Sequence, residues 1–160
     1  LGVQGILNGQ SRDLNFHTSA RREREVLEVA EGKTVTLIRL TLLLPAIVGG
    51  VAPAARERLE ALATLWGLAY QVMDDFKDCL MTPAETGKTA DRDASLHRPN
   101  LPVAIGLPAA RARLDELMAE ARTLVDGLQR QSPAWQILGG LQGVLNREQE
   151  RIQTRLAVLA

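Results

Sequence analysis

Covalent staples are what this sequence has least of. Cys79 is its only cysteine, which excludes an internal disulfide and a cysteine-rich zinc site. Unbalanced charge is missing too: 19 Lys and Arg meet 19 Asp and Glu. That removes the long-range attraction on which nucleic-acid and anionic-membrane binders depend, so any anionic ligand must be met by local groups or metal ions. The longest apolar stretch, Val35 to Ala55, is interrupted by Arg39 and Pro45, and it falls short of the roughly 18 clean residues that a membrane span needs. No basic segment leads into a sustained apolar run at the N-terminal end, so no signal peptide is read there. The chain opens on Leu1 rather than Met, which implies numbering from inside a longer product or the removal of a segment. A lone cysteine suits a reducing compartment, and the cytoplasm is the expected location.

What remains is the composition of an ordinary folded domain. With 160 residues, 46% of them hydrophobic and 24% charged, the chain can bury roughly 70% of its unfolded surface without staples. Strand-like alternation does not persist anywhere, and β-branched residues are sparse beside Leu and Ala, which lose little freedom in a helix. The pattern predicts helices over Val3–Asn15, then Ser19–Leu44 with Ser19 as cap, ended by Pro45 and Gly49-Gly50. A third is expected from Pro53 to Leu80, a long loop from Met81 to Pro102, and a fourth helix from Pro108 to Arg130. Ser132-Pro133 opens a fifth that runs to Leu159, with Leu138, Leu141, Leu145, Ile152, Leu156 and Leu159 as its buried stripe. Without repeats, low-complexity tracts or linkers, residues 1–160 read as one all-α domain.

The chemistry concentrates where the third helix ends, in Gln71-Val72-Met73-Asp74-Asp75-Phe76-Lys77-Asp78. Asp74 and Asp78 are four apart and share a face, their Cβ atoms about 6 Å from each other. Gln71 precedes Asp74 by three and Asp75 by four, on the same ridge. The arrangement is locally costly. Each anion opposes the helix dipole at this end by roughly 0.3–1 kcal/mol, and two carboxylates 6 Å apart repel by about 3 kcal/mol at an effective dielectric of 20. Lys77 points largely away and cannot offset all three. A hard divalent cation reverses the sign of every contribution, and Mg2+ suits one or two carboxylates plus water and phosphate. A solvated acidic helix end with a basic neighbour is the plainer alternative, and spacing alone leaves both open.

Gln-x-x-Asp-Asp-x-x-Asp after a Leu-Gly-Leu-Ala helix resembles the second aspartate-rich motif of the trans-prenyltransferases, the isoprenyl diphosphate synthases. Three more stretches follow that family's order: Gly9-Gln10-Ser11-Arg12-Asp13-Leu14, Glu31-Gly32-Lys33-Thr34, and Gly87-Lys88-Thr89-Ala90-Asp91-Arg92-Asp93 through Arg98-Pro99-Asn100-Leu101-Pro102. The resemblance implies an all-α bundle of the isoprenoid synthase type, of which this chain is the second half. It implies Mg2+ held by Asp74, Asp75 and Asp78 and bridged to the diphosphate of an allylic substrate. Lys33 and Lys88 would donate to that diphosphate, and Thr34 would lie near the substrate channel. Gln71 and Gln10 would position the reacting ends, Asp13 would lie near the metal and water network, and Asp93 and Arg98 would be further contacts. Arg98 stands where relatives often carry Lys, keeping the charge and changing its geometry.

The implied reaction condenses an allylic diphosphate with isopentenyl diphosphate. Aromatic residues are only 3% of the chain, too few for extensive cation–π stabilisation of a cyclising cation, which favours chain elongation over cyclisation. Synthases of this kind also carry an earlier aspartate-rich motif with arginines and a basic isopentenyl diphosphate site, and neither is in this sequence. The expected readings are therefore part of a longer synthase, a short synthase-like subunit that binds a diphosphate or a partner, or a helical interaction module. The family usually forms homodimers. Trp135 is expected to serve as a core or interface aromatic.

Overall fold

The computed structural model describes residues 2–14, 23–81 and 99–159. Gly2–Leu7 forms a wide, π-type turn broken at Gly5 (φ −105°, ψ −117°), and α1 follows over Asn8–Leu14. The expected single helix from Val3 is thus split at a glycine, the residue with least to hold it in helical geometry. Next, α2 (Glu23–Ala30) runs through a π-type turn at Glu31–Val35 into α3 (Thr36–Val48). Within that turn the Thr36 N–H reaches the Glu31 carbonyl, five residues back. Ser19, the expected cap, lies outside the described residues.

Pro45 does not end this helix as the sequence suggested. It sits in the last turn, where a missing N–H costs a single helical bond. The stop is Gly50, at φ 66°, with Val51 N–H on the Ala46 carbonyl (2.9 Å) and Gly50 N–H on that of Ile47 (3.1 Å). This crossed pair is the Schellman closure, which places its left-handed residue at a glycine.

The rest is hung on α4 (Pro53–Leu80), whose 28 residues make a rod of about 42 Å. Leu59, Leu62, Ala63, Trp66, Ala69, Val72, Met73 and Phe76 are all buried along it, a stripe too wide for one neighbour. One core cluster sits at its far end, where Val72, Met73 and Phe76 meet Leu101, Leu114, Leu117, Met118 and Ile152. A second sits at its near end, where Leu59, Leu62 and Trp66 meet Ala121, Val125, Leu128 and Leu138, with Trp135 packed beside them. Trp135 is therefore a core aromatic, as the sequence suggested.

The segment expected to be loop as far as Pro102 already becomes helical at Leu101. Asn100 caps α5 (Leu101–Ile105) by accepting from the Val103 N–H at 3.0 Å, and Pro follows inside its first turn. Gly106, at φ 85°, separates it from α6 (Leu107–Gln129). Ser132 caps the 3-10 turn Pro133–Trp135, which leads into α7 (Gln136–Leu159). Leu141 is 44% exposed, outside its expected stripe. The inward position belongs to Gln142, whose Oε1 accepts from Trp66 Nε1 at 2.6 Å, so a buried polar pair displaces the leucine from the seam.

Among the described residues no helix is long and apolar enough to cross a membrane. On α3, Leu37, Leu44, Ile47 and Val48 stay exposed. A helix this apolar all round normally has neighbours on both sides.

Two glycine substitutions test the packing. A Cβ on Gly67 would lie 2.7 Å from the Val35 Cα, backbone that cannot swing away, whereas one on Gly140 meets nothing within 4 Å. Urea unfolding should show Gly67→Ala losing about 1–3 kcal/mol despite its better helix propensity, and Gly140→Ala gaining up to about 1 kcal/mol.

Candidate functional site

The last turns of α4 bring three separately encoded segments together. Thr34, in the π-type turn, donates its hydroxyl to Gln71 Oε1 at 2.9 Å. Gln71 Nε2 donates in turn to Asp75 Oδ1 at 2.9 Å. The other oxygen, Oδ2, accepts the Leu101 backbone N–H at 2.8 Å. Asn100 Nδ2 closes the join by donating to the Asp75 carbonyl at 3.0 Å. One aspartate thus fastens the start of α5 to the end of α4 and reaches back to the Lys-Thr turn.

Asp75 is only 3% exposed. Burial pushes its carboxyl up to about 7, a rise that the Leu101 and Gln71 hydrogen bonds limit and that the charges of Asp74 and Asp78 increase. Its hydrogen-bond chain can run in either direction. With Asp75 protonated, its hydroxyl can donate to Gln71, whose rotated amide then donates to Thr34.

The three aspartates are not gathered into one cage. Both oxygens of Asp75 are engaged by protein groups, and among the described residues no cluster of three or more His, Cys, Asp or Glu is placed to hold a metal. Asp74 is partly exposed and Asp78 exposed, four residues apart on one face. Oxygen donors of this number fit Mg2+, which takes one or two carboxylates and completes its shell with water and phosphate.

The other expected residues divide in two groups. Gly9 and Gly32 meet backbone to backbone, close enough that a Cβ on Gly32 would be 2.9 Å from the Gly9 Cα. Gln10 and Lys33 each follow that crossing by one residue. Arg12 strengthens it by donating to Glu28 at 2.9 Å, and Asp13 lies on the same helix, α1. Lys88, Asp93 and Arg98 fall outside the described residues. Asn100 carries no role in the sequence pattern taken alone. Its position before Leu-Pro was the available signal, since Asn followed by Pro in a first turn marks a helix cap.

A family model described as polyprenyl synthetase matches residues 3–131. Over 135 residues the chain is 32% identical to a chloroplastic geranylgeranyl pyrophosphate synthase of Capsicum annuum, covering 84% of this chain and 37% of that one. It is 37% identical over 116 residues to a geranylgeranyl diphosphate synthase of Pseudescherichia vulneris, covering 72% of this chain and 36% of the relative. Among solved structures, a geranyltransferase from Helicobacter pylori complexed with magnesium and isoprenyl diphosphate superposes with a TM-score of 0.73 at 26% identity, over 96% of this chain and 48% of that one. The fold is therefore that of the all-α isoprenoid synthases. The chain belongs to the polyprenyl synthetase family. It spans less than two fifths of these curated relatives and about half of the solved one.

Asp75 gives the site a pH signature. Folded Asp75 keeps its proton to about pH 7, whereas an unfolded aspartate releases it near 3.8. Between these values the native state binds more protons, so stability falls as pH rises, on the order of 4 kcal/mol across the window, and levels above about 7. Asp75→Asn retains an oxygen for the Leu101 N–H and can run the chain in its reversed direction. Urea unfolding from pH 4 to 8 should show the decline attenuated in Asp75→Asn relative to wild type.

Proposed function

We propose that this chain carries the second aspartate-rich half-site of a Mg2+-dependent prenyltransferase that joins an allylic diphosphate to isopentenyl diphosphate by chain elongation. The observation that carries this reading is the hydrogen-bonded line Thr34–Gln71–Asp75–Leu101. It ties the Lys-Thr turn, the aspartate motif and the return of the following loop into one unit, at the end of α4 where diphosphate chemistry is expected.

Within it Asp74 and Asp78 present the carboxylates that would hold Mg2+, and Asp75 is a positioning residue rather than a third ligand. When bound, the metal supplies electrostatic stabilisation of a departing diphosphate. Lys33 and, from the loop, Lys88 would neutralise the same leaving group, with Asp93 and Arg98 as further loop contacts. Gln71 and Thr34 would orient polar groups toward the allylic end, with Gln10 as a further positioning group and Asp13 assigned to the metal and water network by the resemblance. Val72, Met73 and Phe76 pack into the core on the other side of the helix and so fix the orientation of the polar face.

The exposed apolar stripe Leu37, Leu44, Ile47 and Val48 on α3 supports the further reading that the functional bundle includes more protein than these residues. That protein is the other part of a longer synthase or a partner subunit, with homodimerisation as in the family at large.

Inorganic pyrophosphate with millimolar Mg2+ should raise the melting temperature by about 5 °C at a hundredfold excess over Kd. Asp74→Ala should abolish the rise and leave the metal-free protein equal to or more stable than wild type. Asp75→Asn should keep most of it. A shift that survives Asp74→Ala places the ligand elsewhere. Product formed from isopentenyl diphosphate and geranyl or farnesyl diphosphate by the 160-residue chain would establish transfer directly. If no product forms at stoichiometric protein, a partner is required.

A further inference from the structure

The metal-facing carboxylates have a cation in their own motif, and the fold takes it away from them. Lys77 follows Asp74 by three residues, about 60° round the helix, and although it starts out pointing away its long stem can reach back to that carboxylate. Instead its Nζ reaches across to α7 and lies 2.8 Å from Glu148 Oε1. The pair is substantially enclosed, with side chains 26% and 24% exposed. Glu148 is itself held in place: its other oxygen, Oε2, lies 3.4 Å from Arg151 Nη1, one turn on. It sits beyond residues 3–131, the part of the chain matched by the family model.

We infer that Glu148 is a positioning residue for the Asp74–Asp78 face, acting through Lys77. By engaging the ammonium on α7, it prevents Lys77 from folding back to neutralise Asp74. A carboxylate already paired with a lysine attracts a divalent cation weakly, because the incoming ion must displace the ammonium and leave it beside its own charge. The pairing thus keeps the ammonium off Asp74 without deleting the lysine. This rests on the reading of Asp74 and Asp78 as the metal face, and it adds a residue from the C-terminal helix to that site.

The test is Mn2+ alone, followed by the electron paramagnetic resonance signal of the free ion, with wild type, Glu148→Gln, Lys77→Gln and the double variant. Glu148→Gln should weaken Mn2+ binding about three- to tenfold, since Lys77 is then released toward Asp74. Lys77→Gln should bind at least as tightly as wild type. The double variant should return to within about twofold of wild type, because no ammonium remains to fold back. That rescue separates positioning from support: if the pair only braced α7 against α4, both single variants would weaken binding and the double would be no better, which overturns the inference. Glu148→Gln binding like wild type overturns it as well. Wild-type protein that takes up no Mn2+ overturns the assignment of the metal face itself, and the inference with it. Circular dichroism melts of the four proteins confirm that each is folded at the titration temperature.

Discussion

The end of the bundle where α4 gives way to α5 depends on one buried carboxyl group. Asp75 lies inside the protein at the last turns of a helix, where the dipole opposes its charge and burial opposes its ionisation. Such a group persists only if its hydrogen bonds are met, and each of its oxygens has a partner. The Leu101 N–H is one of the orphan donors at the start of α5, so a single contact satisfies a buried acceptor on one helix and an unpaired donor on another. Removing either partner would leave the other buried and unsatisfied, which costs more than the net value of the bond. The chain cannot therefore form the end of α4 and the start of α5 independently.

The clamp can be placed accurately because the helices beneath it approach closely. Gly67 sits against Val35, and Gly9 against Gly32, so α4 and the short N-terminal segments both press on the π-type turn at Glu31–Val35. The turn widens the helix where Lys33 and Thr34 lie, and it presents Thr34 to Gln71. Departures from regular helix of this kind are common at functional sites. Here the departure coincides with the Gly-Lys-Thr segment that the family resemblance singled out. Farther along, Trp66 and Gln142 fix α7 to α4 by a buried bond, and Asp115 accepts from both Gln149 (2.6 Å) and Gln153 (2.8 Å) to fix α7 to α6. The helix that carries Glu148 is thereby held on two sides.

How much of this could be read in advance follows from what each residue responds to. The all-α class and the extent of α4 were legible because Leu and Ala periodicity, a Pro at the start and an abrupt polar end are local signals. The cap at Ser132 was legible for the same reason. Leu141 was misplaced because the residue that takes its position, Gln142, looks polar until its partner Trp66 is known, 76 positions earlier in the chain. Pro45 misled because a proline's effect depends on how much helix follows it, and here only three residues do. At the candidate site, order along the chain singled out Thr34, Gln71 and Asp75, which the structure joins by hydrogen bonds. The spacing of Asp74, Asp75 and Asp78 could not say that the middle one turns inward, since on a helix that depends on which face the core occupies. Phe76 and Met73, both buried, fix that face.

The inward turn of Asp75 also explains how so acidic a helix end can be tolerated. Three carboxylates exposed together would repel one another and the helix dipole at once. With Asp75 withdrawn into a hydrogen-bonded niche, two remain toward solvent, and water screens their repulsion more effectively than protein would. Two is also the number that a magnesium ion can use while keeping places for water and phosphate oxygens. A third exposed carboxylate would add only further repulsion at this helix end. The division of labour within the motif therefore follows from electrostatics on both sides: one aspartate is buried to hold the architecture, and two are kept outward at a repulsion small enough for the free protein to bear.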